Sequence, residues 1–175
     1  RLIALQGADA FYRGPIGKKI VADSQAHRGL ITAADLQGYK PVERKPVRGS
    51  YRQYEIVTMP PPSSGGIHLL QILNIMEGWP IGNWGQNSAQ TVHHMAEAMK
   101  LAYADRAEYL GDPDYVKIPQ TGLVSRKYAT LLRSQIDPAH ARPAKDIKPG
   151  RPQPYESDQT THYSVMDAKG NAVAV

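Results

Sequence analysis

Thr160-Thr161-His162-Tyr163-Ser164 holds a nucleophile in waiting, provided the chain is cut before Thr160. A threonine that becomes an N-terminus carries both a hydroxyl and an α-amine able to serve as its general base. Making one requires breaking the preceding bond, which needs an accessible approach. The stretch 138–154, with five prolines in 17 residues and almost nothing apolar, predicts a loosely structured one. Without a cut, two threonines at the start of a strand follow from β-propensity alone.

Four other groups could do chemistry, each with an ordinary reading beside it. Pro60-Pro61-Pro62-Ser63-Ser64-Gly65-Gly66 places glycines ahead of a helix, where backbone N–H groups can approach an anion. It lacks the Lys-Ser/Thr ending of a phosphate loop, so a rigid turn with a serine cap competes with that reading. His93 and His94 are adjacent, which on a helix points their rings about 100° apart, and no HExxH or i,i+4 pair accompanies them. Surface and boundary histidines suit that spacing better than a metal site. Asp105, Glu108, Asp112 and Asp114 could supply an acid/base pair, or an ion-paired helix end beside Arg106. Arg142, Lys145, Lys148 and Arg151 alternate with prolines rather than aromatics, so they form no recognisable nucleic-acid module.

The elements that must position these residues are mostly helices. The pattern predicts short helices over 9–12 and 16–26, broken by Gly14-Pro15 and ended near Gly29. Thr32-Ala33-Ala34-Asp35 resembles a capping box with Asp in place of the usual Glu or Gln. Residues 42–47 and 51–58 read as two strands joined by a turn at Arg48-Gly49-Ser50. A helix capped by Ser63 or Ser64 runs to Gly78, with an apolar stripe at Ile67, Leu70, Leu73 and Met76. A longer one starts at Ser88 and runs to about Leu110, its buried face formed by Val92, Met95, Ala96, Met99, Ala102, Tyr103 and Ala107. Ser125 caps a third over 126–136, with Tyr128, Leu131 and Leu132 inward. Residues 160–166 and 171–175 read as a hairpin around Asp167-Ala168-Lys169-Gly170.

Composition narrows the field. Apolar residues make up 41% and charged residues 21% of 175, an ordinary globular balance rather than a disordered one. The formal charge of +5 is spread along the chain, and no apolar run is long enough for a membrane-spanning helix. With no cysteine there is no disulfide framework, thiolate metal site or cysteine nucleophile. The chain opens inside a helical pattern without an initiator Met or a leader, and stops on apolar strand sequence. We expect it to be a piece of a longer protein.

Three long motifs in order, PPPSSGG at 60–66, AYADRAEYLGDPDY at 102–115 and PYESDQTTHYSVMDAKGNAVAV at 154–175, resemble bacterial γ-glutamyltranspeptidase across essentially the whole chain. The resemblance implies an α/β (α+β) fold: part of a four-layer αββα N-terminal-nucleophile hydrolase sandwich, with helices and a few antiparallel strands. It implies a precursor that cuts itself at Gln159–Thr160, with Thr160 the catalytic nucleophile. Residues 1–159 then form the C-terminal part of the large subunit, and 160–175 the N-terminal hairpin of the small one.

The implied activity is a γ-glutamyltransferase and glutathione hydrolase of the periplasm or the secreted fraction, needing no metal or organic cofactor. Its donors would be glutathione and other γ-glutamyl compounds, its acceptors water, amino acids or peptides. The remaining segments of the precursor would be its partners, with no nucleic acid. By the family pattern, the arginine that grips the donor α-carboxylate precedes residue 1. The other donor-holding residues, the oxyanion glycines and a supporting threonine follow Val175, so this stretch alone is expected to be inactive. Two alternatives stay open: a glutaryl-cephalosporin acylase of the same family, and an inert assembly module.

Overall fold

A computed structural model describes residues 1–156 and the backbone of 164–166 and 172–174. The chain divides into two units, 1–44 and 45–175.

The first unit is four short helices: α1 (Leu2–Gln6), α2 (Asp9–Tyr12), α3 (Pro15–Ala26) and α4 (Ala33–Gly38). Gly14 caps α3 and Pro15 opens it, where the missing N–H costs nothing and the fixed φ suits a helix. The capping box read from Thr32 and Asp35 forms. Asp35 N–H donates to Thr32 Oγ1 at 3.3 Å, and Asp35 Oδ2 accepts from Thr32 N–H at 2.8 Å. Only Ala10 and Gly17 are buried here, so local capping and the stacked Tyr12 and Tyr39 rings, 5.5 Å apart, carry more of this unit than a core does.

The second unit is built around α5 (Gly65–Met76). Strands β1 (Val47–Tyr51) and β2 (Tyr54–Thr58) pair antiparallel, with Gly49 opposite Ile56 and Tyr51 opposite Tyr54. The expected turn at Arg48-Gly49-Ser50 is therefore inside β1, and the chain reverses at Arg52-Gln53, where Arg52 takes a φ of 53°. Gly49 serves packing instead. A Cβ there would lie 2.7 Å from Leu70 Cδ2, so its absence lets α5 approach the strand.

Ile67, Leu70 and Ile75 of α5 are fully buried against Val47, Leu101, Leu123, Tyr128 and Leu132. Burying each such aliphatic side chain contributes about 1.5–3 kcal/mol. Leu73 is only half-buried, and the buried face includes Gln71 and Asn74 in its place. Arg133 closes the C-terminal end of α5, donating from Nε to the Ile75 carbonyl at 2.7 Å and from Nη2 to that of Asn74 at 2.8 Å.

α6 (Ala89–Tyr109) has the expected span, and Ser88 Oγ accepts from Thr91 N–H at 3.1 Å as its cap. Its buried face is not the expected one. Val92, Met95, Met99 and Tyr103 are 38–52% exposed, and of the seven residues read as inward only Ala102 is buried. The buried side is His94, Glu97, Ala98, Leu101, Ala102 and Asp105. Polar groups go inside because each finds partners there, as described below, which apolar periodicity cannot register.

α7 (Gln120–Leu123), with no counterpart in the sequence reading, precedes α8 (Arg126–Arg133). Ser125 Oγ accepts from Tyr128 N–H at 3.5 Å, while Leu131, expected inward, is 45% exposed. The proline-rich stretch 138–154 is not loose: Ile147 and Pro152 are buried, and short 3₁₀ turns form at Ala144–Asp146 and Gln153–Tyr155. Beyond it, β3 (Ser164–Met166) and β4 (Ala172–Ala174) pair antiparallel, Ser164 opposite Ala174, as the hairpin reading requires.

Candidate functional site

Gln159 and Thr160 lie outside the described residues, so the site is described by what leads to it. The proline-rich strap that ends at Glu156 is fastened along its length. Near its start, the Arg142 carbonyl accepts from Lys100 Nζ at 2.6 Å and Arg142 N–H donates to Glu97 Oε1 at 3.3 Å; Lys100 also pairs with Glu97 directly. At Gly150 both backbone groups are used: the N–H donates to Asp105 Oδ1 at 2.7 Å, and the carbonyl accepts from Tyr109 OH at 2.7 Å. At the end, Glu156 Oε1 accepts from Gly122 N–H at 2.6 Å.

Asp105 is the node beneath this strap. It is fully buried, and besides Gly150 N–H it accepts from Gln71 Nε2 at 2.6 Å and from Tyr128 OH at 2.8 Å. Burial pushes its carboxyl above the ordinary carboxylate range, against the pull of the three hydrogen bonds. Burial also pushes the Tyr128 hydroxyl up, with the neighbouring Asp105 charge adding to it. Asp105 is thus a structural acceptor linking α5, α6, α8 and the strap, rather than a member of an ion-paired helix end.

The rest of the candidate acid/base group is not assembled around it. Glu108 is exposed on α6, and Asp112 Oδ1 accepts from Asp114 N–H at 3.0 Å in a surface turn.

In the 60–66 motif, Ser64 stands at the cap position of α5, but its hydroxyl accepts from Arg106 Nε at 3.0 Å instead of from the helix. Ser63 Oγ accepts from Gly65 N–H at 3.3 Å. A Cβ on Gly66 would sit 1.9 Å from the Met59 carbonyl oxygen, so that glycine is required by the turn itself. These contacts fit the rigid-turn reading. His68, one turn into α5, packs edge-on against Tyr103 at 4.3 Å; burial first, then the Arg106 charge, push its pKa down.

His94 is buried between Trp79 and Trp84, its Nδ1 2.8 Å from the Gln90 carbonyl, while His93 Nε2 lies 2.7 Å from the Asp137 carbonyl. Each imidazole has its own backbone partner. Among the described residues no three His, Asp or Glu side chains are grouped as metal ligands would be.

The model of the family described as gamma-glutamyltranspeptidase matches residues 1–175. The chain belongs to the γ-glutamyltranspeptidase family. It is 54% identical to a glutathione hydrolase proenzyme of Escherichia coli over 99% of its own length and 30% of that protein's. It is 45% identical to an acylase proenzyme, ACY 1, of a Pseudomonas species, again over 99% of this chain and 30% of the relative. The crystal structure of Helicobacter pylori γ-glutamyltranspeptidase superposes with a TM-score of 0.78 at 43% identity, covering 90% of this chain and 45% of that one. The chain thus spans about a third of the length of the curated relatives it matches. Its helices and antiparallel hairpins form part of the N-terminal-nucleophile hydrolase fold of γ-glutamyltranspeptidases.

Within this γ-glutamyltranspeptidase segment, sequence reasoning overlooked Gln71, Gly122, Gly150 and Glu156, and read Tyr128 as inward without its hydrogen-bonding role. Nothing in their spacing announces them, because each acts with a partner 23 to 45 residues away. One signal was available. Gly150 and Pro152 sit in a stretch whose single large apolar residue, Ile147, needs something to cover it.

Proposed function

We propose that the protein containing this chain is a γ-glutamyltransferase and glutathione hydrolase, made as a precursor that cuts itself at Gln159–Thr160. The observation that carries the reading is the family match over the full 175 residues, including Gln159-Thr160-Thr161-His162-Tyr163-Ser164. Residues 1–159 are then the C-terminal part of a large subunit, and 160–175 the opening hairpin of a small one. In transfer, Thr160 Oγ attacks the γ-amide carbonyl and the Thr160 α-amine takes the hydroxyl proton. The amine passes that proton to the leaving amino group as a γ-glutamyl ester forms. Water or an amino acid or peptide amine then takes the acyl group and returns the hydroxyl. No metal or organic cofactor enters these steps. Glutathione is the donor by analogy with the glutathione hydrolase proenzymes, and a periplasmic or secreted location is part of the same proposal. No described helix is long and apolar enough to cross a membrane.

The 45% identity to an acylase keeps a second reading, hydrolysis of a glutaryl-cephalosporin amide by the same nucleophile. The higher identity to glutathione hydrolases favours the first. The test is the full-length protein with a chromogenic γ-glutamyl anilide and, separately, a glutaryl anilide. Turnover of the first that disappears in Thr160→Ala supports the reading. Preference for the glutaryl compound selects the acylase, and no turnover of either by a processed enzyme refutes both.

A further inference from the structure

α6 is apolar on the side that faces solvent. From Val92 to Tyr103 every exposed residue is apolar: Val92, Met95, Ala96, Met99 and Tyr103. At 3.6 residues per turn the four large ones fall within a stripe about 80° wide and about 17 Å long. The opposite side is already occupied. Ala98, Leu101 and Ala102 are buried there, and Glu97 and Asp105 have partners from the strap, α5 and α8. A solvated helix face carries charge, whereas a helix apolar on all sides is one buried on all sides. No charged side chain breaks the stripe, and a contiguous exposed apolar patch marks an interaction surface.

We propose that Val92, Met95, Met99 and Tyr103 form a docking face, buried in the whole protein against a sheet supplied by the part of the same precursor outside these 175 residues. The chain spans about a third of the length of its curated relatives, so the larger part of such a precursor lies outside it. Among the described residues each sheet has only two strands, β1 with β2 and β3 with β4. A two-stranded ribbon is marginal by itself and needs further strands or a helix against it. Sheets completed by the remaining chain present apolar faces that need a helix layer, as α6 needs a sheet. A partner in the same chain is favoured over a second copy, because linkage gives it a high effective concentration at any dilution. The proposal rests on membership of the family and is independent of which bond is cut or which amide is hydrolysed.

The test is methionine oxidation by dilute hydrogen peroxide in the native full-length protein, since oxidation follows exposure. Cleavage after Glu77, Glu97 and Glu108 puts Met95 and Met99 in separate peptides, and Met76, 3% exposed, sets the buried standard in the same sample. Met95 and Met99 are expected to oxidise within about threefold of the Met76 rate, and at least about tenfold faster once the protein is unfolded in guanidinium. Native oxidation faster than Met76 by more than that margin would overturn the proposal. Protection lost on dilution to the monomer would assign the stripe to a second copy and overturn it too. Photoactivated p-benzoylphenylalanine in place of Tyr103 identifies the cover. Adducts to peptides outside residues 1–175 support the docking face, and adducts only to residues within 1–175 would overturn it.

Discussion

Replacing Asp105 measures how much the buried node holds together. In Asp105→Ala, the Gln71 amide at 2% exposure and the Tyr128 hydroxyl at 0% each lose their acceptor and gain no water. A buried donor left unpaired costs about 1–3 kcal/mol, and the half-buried Gly150 N–H adds less, for a total of about 3–6 kcal/mol. Against a typical domain stability of about 5–15 kcal/mol, that is a large share of what holds the second unit folded.

Asp105→Asn should be milder. With its carbonyl toward Gly150 N–H, its amide meets the Tyr128 oxygen and a flipped Gln71 carbonyl, both able to accept. The assay is urea unfolding of the 175-residue chain followed by tryptophan fluorescence. Both tryptophans, Trp79 and Trp84, are in the second unit, so the signal reports that unit alone.

The pH dependence adds an independent check. The native Asp105 pKa lies above its ordinary value of 3.8, so the folded chain holds the proton longer than the unfolded chain does. Its contribution is complete below 3.8 and is lost as pH rises through the native pKa. Asp105→Asn should remove that slope. A midpoint for Asp105→Ala within about 1 kcal/mol of native would refute the node, since a single neutral hydrogen bond accounts for that much.

Other outcomes follow from single contacts. Gly49→Ala should cost about 1–3 kcal/mol by driving a Cβ to 2.7 Å from Leu70, and Leu70→Val in the same chain should recover part of it in the same urea assay. Hydrogen bonds from the Thr32 side chain and backbone hold the Asp35 carboxyl below its ordinary 3.8, and NMR titration of Thr32→Ala should show it rising back toward that value. The 175-residue chain assayed alone is expected not to turn over a γ-glutamyl anilide, because an oxyanion site contributes about 100-fold or more in rate and the family resemblance implies that it follows Val175. Turnover by the pure chain that disappears on Thr160→Ala would show otherwise.

The helices were legible where a local signal ends them. Thr32, Ser88 and Ser125 cap the elements their positions announced, and Gly14-Pro15 marks the start of α3. Legibility failed where a residue's reason lies across the fold. Gly49 reads as a turn because glycine usually punctuates, yet its function is to admit Leu70. The apolar stripe Val92–Met95–Met99–Tyr103 reads as a core face, yet α6 buries Glu97 and Asp105, whose partners come from the strap, α5 and α8. Proline density at 138–154 reads as looseness. Proline denies the strap regular structure without denying it side-chain and backbone anchors, and Gly150 and Glu156 take them. Motif identity alone puts Gln159–Thr160 forward as the proposed cleavage point, independently of any of these contacts.

The most direct test of the central claim is N-terminal sequencing of the smaller chain released from the full-length precursor, run beside Thr160→Ala and Thr161→Ala. The account predicts Thr-Thr-His-Tyr-Ser from the native protein and no cleavage in Thr160→Ala. In the strand that the sequence pattern predicts over 160–166, adjacent residues face opposite ways, so Thr161→Ala should still be processed. A different first residue, or a Thr160→Ala precursor that cuts normally while Thr161→Ala does not, would contradict it and move the nucleophile to another position.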